Sequence, residues 1–106
     1  MALEDYLIPG EEIRCQSDEN SVEYGGKPYK LVLTDKRVLL HSARRLIVKK
    51  DDVVSQKLDE LQGIKYRERR LISKEGIIEI QGMTLIQLSG NAAAMKTLYQ
   101  QIMQFV

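Results

Sequence analysis

The chain has 106 residues, 43% of them hydrophobic and 29% charged, with 16 Lys and Arg against 15 Asp and Glu. That length encloses one core and not two, and that composition excludes disordered, collagen-like and coiled-coil chains. Cys15 is the only cysteine, no basic-then-apolar leader is visible, and no apolar run approaches the roughly 20 residues that cross a bilayer, so a single cytoplasmic domain over 1–106 is expected.

In chain order, Leu7-Ile8-Pro9-Gly10 reads as a turn into a first strand. Residues 11–16 alternate, with Ile13 and Cys15 on one face and Arg14 and Gln16 on the other, which predicts a half-buried strand. Residues 17–26 are polar and end in Gly25-Gly26, the signature of a loop with a tight return. Tyr29, Leu31 and Leu33 then share a face opposite Lys30 and Val32, and beyond a charged break Val38 and Leu40 oppose Leu39 and His41. Two such runs split by Thr34-Asp35-Lys36-Arg37 predict a hairpin whose turn is closed by the Asp35 side chain accepting a backbone hydrogen bond.

Residues 44–50, RRLIVKK, read as a short further strand, and the pattern changes at Asp51-Asp52. Residues 53–61 fit one or two helical turns through Val54, Leu58 and Leu61, or an irregular strand. Residues 63–70 alternate with Ile64 and Tyr66 one way and Lys65, Arg67 and Arg69 the other. Lys74-Glu75-Gly76 predicts a turn, 77–81 a strand with Ile78 and Ile80 inward, Gly82 another turn, and 84–89 the last strand. After Ser89 or Asn91 as N-cap, Met95, Leu98, Tyr99, Ile102 and Val106 mark one amphipathic helix over about 91–105. Its polar face carries Lys96 and glutamines rather than a row of bases, which points to docking on the protein's own sheet rather than a membrane surface. About seven strands between residues 11 and 89, spaced by roughly ten residues, predict an antiparallel sandwich or small barrel plugged by that helix.

The catalytic inventory is thin. His41 is the only histidine, so with a lone cysteine neither a Cys/His zinc site nor a histidine-based nucleophile pair can be assembled. The carboxylate pairs Glu11-Glu12, Asp18-Glu19, Asp51-Asp52 and Asp59-Glu60 are sequence neighbours, and neighbours in a strand point to opposite faces. Gly25-Gly26 lacks the third glycine and following helix of a nucleotide-binding turn. No enzyme activity, metal or cofactor is expected.

The run LVLTDKRVLL, preceded by PGEEI and followed by short strands, GIIEIQG, a final strand and one C-terminal helix, resembles prokaryotic pleckstrin-homology-like domains over residues 8–106. The resemblance implies a PH-like barrel: a strongly bent, seven-stranded antiparallel sheet in two near-orthogonal halves, capped at one end by the helix. Members of the wider superfamily bind phosphoinositides, phosphopeptides, proline-rich segments or other proteins, so fold alone fixes no ligand. Lipid-binding members carry bases around the first loop, where this chain has Asp18, Glu19 and Glu23 inside and only Arg14, Lys27 and Lys30 at the borders. Three carboxylates there oppose a phosphate.

Charge is unevenly spread: residues 1–26 hold seven acids and one base, whereas 27–50 hold eight bases and one acid. The candidate anion- or partner-binding patch is Lys36, Arg37, Arg44, Arg45, Lys49 and Lys50. Successive turns of a meander fall at opposite ends, so these bases need not form one surface, and 34–37 is read as a structural turn. No aromatic residues interleave with the bases as a single-strand stacking surface requires, so no nucleic acid is expected. The expected role is a non-catalytic interaction module that binds a protein partner or a second copy, as a homo-oligomer; peripheral binding of anionic lipid through the basic residues is the alternative.

Overall fold

A computed structural model describes residues 6–45, 49–70 and 72–106, with side chains described outside 43–52. The described residues form a mainly β structure of eight antiparallel strands followed by one helix: β1 (Ile13–Gln16), β2 (Val22–Tyr24), β3 (Lys27–Thr34), β4 (Arg37–Arg45), β5 (Lys49–Lys57), β6 (Gly63–Arg70), β7 (Lys74–Gln81), β8 (Leu85–Asn91) and α1 (Ala92–Met103). The sheet runs β5-β4-β3-β2-β8-β7-β6, with β1 paired to β3 beside β2. β3 therefore belongs to both halves: its first residues pair β2 through Val22↔Tyr29, its last pair β1 through Gln16↔Val32, and its other edge pairs β4.

The alternation seen in the sequence sorts the core. Tyr29, Leu31, Leu33, Val38 and Leu40 join Ile78, Ile80, Ile86 and Leu88 in the main cluster, sealed by Met95, Leu98 and Ile102 of α1. On the opposite face of the first half, Val32 and Leu39 are covered by Leu7 and Val53. Asn91 caps α1 by accepting from the Ala94 N–H at 3.1 Å. The helix approaches the sheet over two glycines that stand opposite each other, Gly76 and Gly90. A Cβ on Gly76 would lie 2.7 Å from the Met95 Cβ, and one on Gly90 2.8 Å from the Ser21 carbonyl oxygen.

Four local expectations are corrected, and one that had stayed open is resolved. β2 falls inside the stretch read as loop, because Val22 reaches the core from a three-residue strand too short for periodicity to reveal. Residues 44–50 are not a separate strand: β4 continues through Arg45, and β5 begins at Lys49 and takes in Asp51 and Asp52. Residues 53–61 divide between the end of β5 and a single 3-10 turn, Leu58–Glu60. Lys74, Glu75 and Gly76 lie within β7, the glycine serving helix approach rather than a turn. In β1 a bulge sets Ile13↔Thr34 beside Cys15↔Leu33, so Ile13 is 37% exposed while Cys15 packs on the core.

The expected barrel is not closed. The end strands β5 and β6 do not pair with each other among the described residues. The buried Gln56 side chain of β5 packs over Gly82 in the β7–β8 turn, where a Cβ would collide with its amide nitrogen. No helix of the described residues is long and apolar enough to cross a membrane.

Candidate functional site: the basic turns and the open strand edges

The 34–37 turn is a clamp. Thr34, fully buried, donates its hydroxyl to Glu11 Oε2 at 2.6 Å and accepts from the Lys36 and Arg37 N–H groups at 3.1 and 3.0 Å. The expectation that Asp35 closes the turn from within is corrected: its Oδ1 accepts from the Glu12 N–H at 3.0 Å, in the segment before β1, and Thr34 takes the in-turn amides instead. Arg37 grips Glu11 with two nitrogens, at 3.0 Å from Nε to Oε2 and 3.2 Å from Nη2 to Oε1, and Nη2 also donates to the Tyr6 carbonyl. The Glu11 side chain is fully enclosed and that of Arg37 is 15% exposed. Burial pushes the Glu11 carboxyl up, but hydrogen bonds from Arg37, Thr34 and the Ile8 N–H outweigh it and hold the group at about 2.

Arg37 is thereby removed from the predicted patch: its guanidinium is committed to Glu11 and the N-terminal segment. Lys36 stays exposed at the turn. The other four bases sit at the far end of β4 and the start of β5, where the register sets Arg44↔Lys50 and Arg45↔Lys49. Nine residues of β4 separate the two groups by roughly 26 Å. The six residues therefore do not form one surface: Lys36 and Arg37 lie at one end of β4 and the other four at its far end, where the register places the Arg44–Lys50 and Arg45–Lys49 pairs on opposite faces of the sheet.

Sequence reasoning assigned no role to β6, whose eight residues pair with β7 in unbroken register from Gly63↔Gln81 to Arg70↔Lys74. Its outer edge has no partner strand among the described residues. Arg67 bonds Glu79 and Arg69 bonds Glu75, both at 3.2 Å, while Lys74 reaches Glu68 at 3.0 Å. On the core side, Tyr66 stacks on Tyr99 of α1 with centroids 5.4 Å apart and donates its hydroxyl to Glu68 at 2.7 Å. Burial, then the hydrogen bond and charge of Glu68, raise the Tyr66 phenol to about 12. The signal available in the sequence was the strict alternation of 63–70; what it lacked was the strand's place at the sheet margin.

The remaining chemistry is sparse. His41 is buried in β4, its ring 5.5 Å from that of Tyr6, and Cys15 is half-buried, with burial pushing its thiol up. Among the described residues no three His, Cys, Asp or Glu side chains gather to hold a metal. A cleft of about 420 Å³ between α1 and the β1–β2 connection is lined by neutral side chains such as Gln16, Ala94 and Thr97, with Asp18 at its rim. The chain matches no protein-family model, no curated protein and no solved structure.

Proposed function

We propose that this chain is a non-catalytic, PH-like binding module of the cytoplasm that associates with a protein partner or a second copy by accepting a strand at an open sheet edge. The observation that supports the reading is that the sheet ends in two long strands, β5 and β6, each paired on one side only among the described residues. Edge N–H and C=O groups without partners template strand addition. Light scattering over a concentration series in low and high salt, with affinity capture by the immobilised chain, tests it. Concentration-dependent assembly or saturable capture of a defined partner is expected; a monomer throughout, with nothing captured, removes the reading.

Peripheral binding to anionic lipid is the second reading, and one observation favours it. The register of β4 and β5 brings Arg44, Arg45, Lys49 and Lys50 to one end of the β4–β5 pair, a local excess of positive charge that an anionic surface would offset. Sedimentation with phosphatidylserine vesicles should then weaken on charge reversal of these four residues and not on Lys36→Glu. Equal binding by both variants refutes this reading.

A further inference from the structure

β6 offers more than an open edge, because its two faces differ in chemistry. On the outer face Lys65, Arg67 and Arg69 recur at every second position. The side chains of Arg67 and Arg69 are 57% and 54% exposed despite their ion pairs, and a guanidinium with five donors retains free N–H groups after meeting one carboxylate. Lys65 is exposed and makes no ion pair among the described residues. On the other face Ile64 and Tyr66 are half-buried against the core, Tyr66 stacked on Tyr99 of α1, and Glu68 follows with its carboxylate held by the Tyr66 hydroxyl and Lys74.

This pattern discriminates between occupants. An antiparallel two-fold pairing of β6 with a second copy preserves the faces of the sheet, so odd-numbered residues would meet odd-numbered residues. Lys65, Arg67 and Arg69 would then confront one another, and like charges directly opposite are destabilising. A strand from another protein carrying carboxylates at alternate positions meets the opposite situation. Its acids face the bases, while its intervening apolar residues fall on the side of Ile64 and Tyr66.

We propose that the outer edge of β6 binds an extended segment of a protein partner in which acidic residues alternate with apolar ones, added as a strand beside the Lys65, Arg67 and Arg69 face. The proposal rests on the binding-module reading and specifies its edge and the chemistry of its partner. Bases on an edge strand repel further copies and so guard it against self-association, while leaving it open to an acidic strand.

The test is fluorescence anisotropy of the intact chain with a labelled octapeptide alternating Glu and Val, against three comparison peptides: the same sequence N-methylated at alternate residues, oligoglutamate, and alternating Lys and Val. Saturable binding of the first alone is expected, with slowed hydrogen exchange at the β6 amides. Lys65→Gln, which sets no second carboxylate opposite Glu79, should weaken it by about fivefold while leaving the thermal unfolding of the free protein nearly unchanged. Equal binding of the N-methylated peptide or of oligoglutamate would show attraction by charge without strand addition and would overturn the proposal. So would absence of binding at millimolar peptide, or protection confined to β4 and β5. If the peptide fails while the chain self-associates in light scattering, the binding-module reading stands and only the β6 assignment falls; if both fail, the reading falls with it.

Discussion

Replacing Glu11 by glutamine isolates the charge at the centre of the 34–37 clamp. The side chain keeps its size and one acceptor oxygen, but it loses the carboxylate that Arg37 holds at 3.0 and 3.2 Å and turns an amide toward the guanidinium. A carboxyl lowered from 4.5 to about 2 corresponds to roughly 3 kcal/mol in favour of the charged folded form. Asp35, Lys36 and Glu12 around it are exposed, so solvent screening reduces the expected loss to about 2 kcal/mol. The sign follows from the depressed value. The unfolded chain takes up a proton near 4.5 and the folded chain resists to about 2, so the contribution is complete above about pH 5 and is lost as pH falls toward 2. Urea unfolding of wild type and Glu11→Gln at a series of pH values measures it. The stability gap should be about 2 kcal/mol at neutral pH and should narrow steadily below pH 5, and Arg37→Lys should not restore it, since one ammonium cannot span both carboxylate oxygens. A gap under about 0.5 kcal/mol, or one independent of pH, would refute the account of this turn as an ion-paired clamp.

Two further outcomes are expected. Gly76→Ala should cost about 1–3 kcal/mol in chemical denaturation, because its Cβ would lie 2.7 Å from the Met95 Cβ, whereas Gly63→Ala, with nothing within 4 Å, should change stability by less than about 0.5 kcal/mol; equal costs would disprove close helix approach. In an absorbance titration, with far-UV circular dichroism showing that the fold persists, the Tyr66 contribution, taken as the difference from Tyr66→Phe, should ionise near 12 and move down but not fully back in Glu68→Gln, where burial remains; a Tyr66 contribution near 10 would contradict its environment. The raised value means that Tyr66 favours folding below about pH 10 and that this contribution fades as pH rises toward 12.

The sequence disclosed the fold wherever one side of a strand faces the core. Leu31, Leu33, Val38, Leu40, Ile78 and Ile80 alternate because each successive residue changes sides, and the helix showed itself through Met95, Leu98 and Ile102. It failed where a second constraint replaced alternation. Val22 lies in a strand too short to have a period, and Gly76 has the residue type of a turn but serves a close approach that depends on a helix far along the chain. The candidate site was legible only in part. The bases at 44–50 are evident as a run, yet the loss of Arg37 to Glu11 joins residues on separate elements and could not be read from either stretch alone. The margin position of β6 is likewise a property of strand order, which alternation does not encode.

The meeting of the two halves has a kinetic consequence. Every other ladder joins strands that are close in the chain, while β2 and β8 share the single rung Glu23↔Ser89 between its two ends. Hairpins of either half can form early from local encounters, but the late-synthesised β8 and the helix behind it must arrive before that rung exists. The cost of closing the long loop between β2 and β8 therefore falls on this late joining, where the shared core around Leu31, Leu33, Ile78 and Leu88 also first comes together.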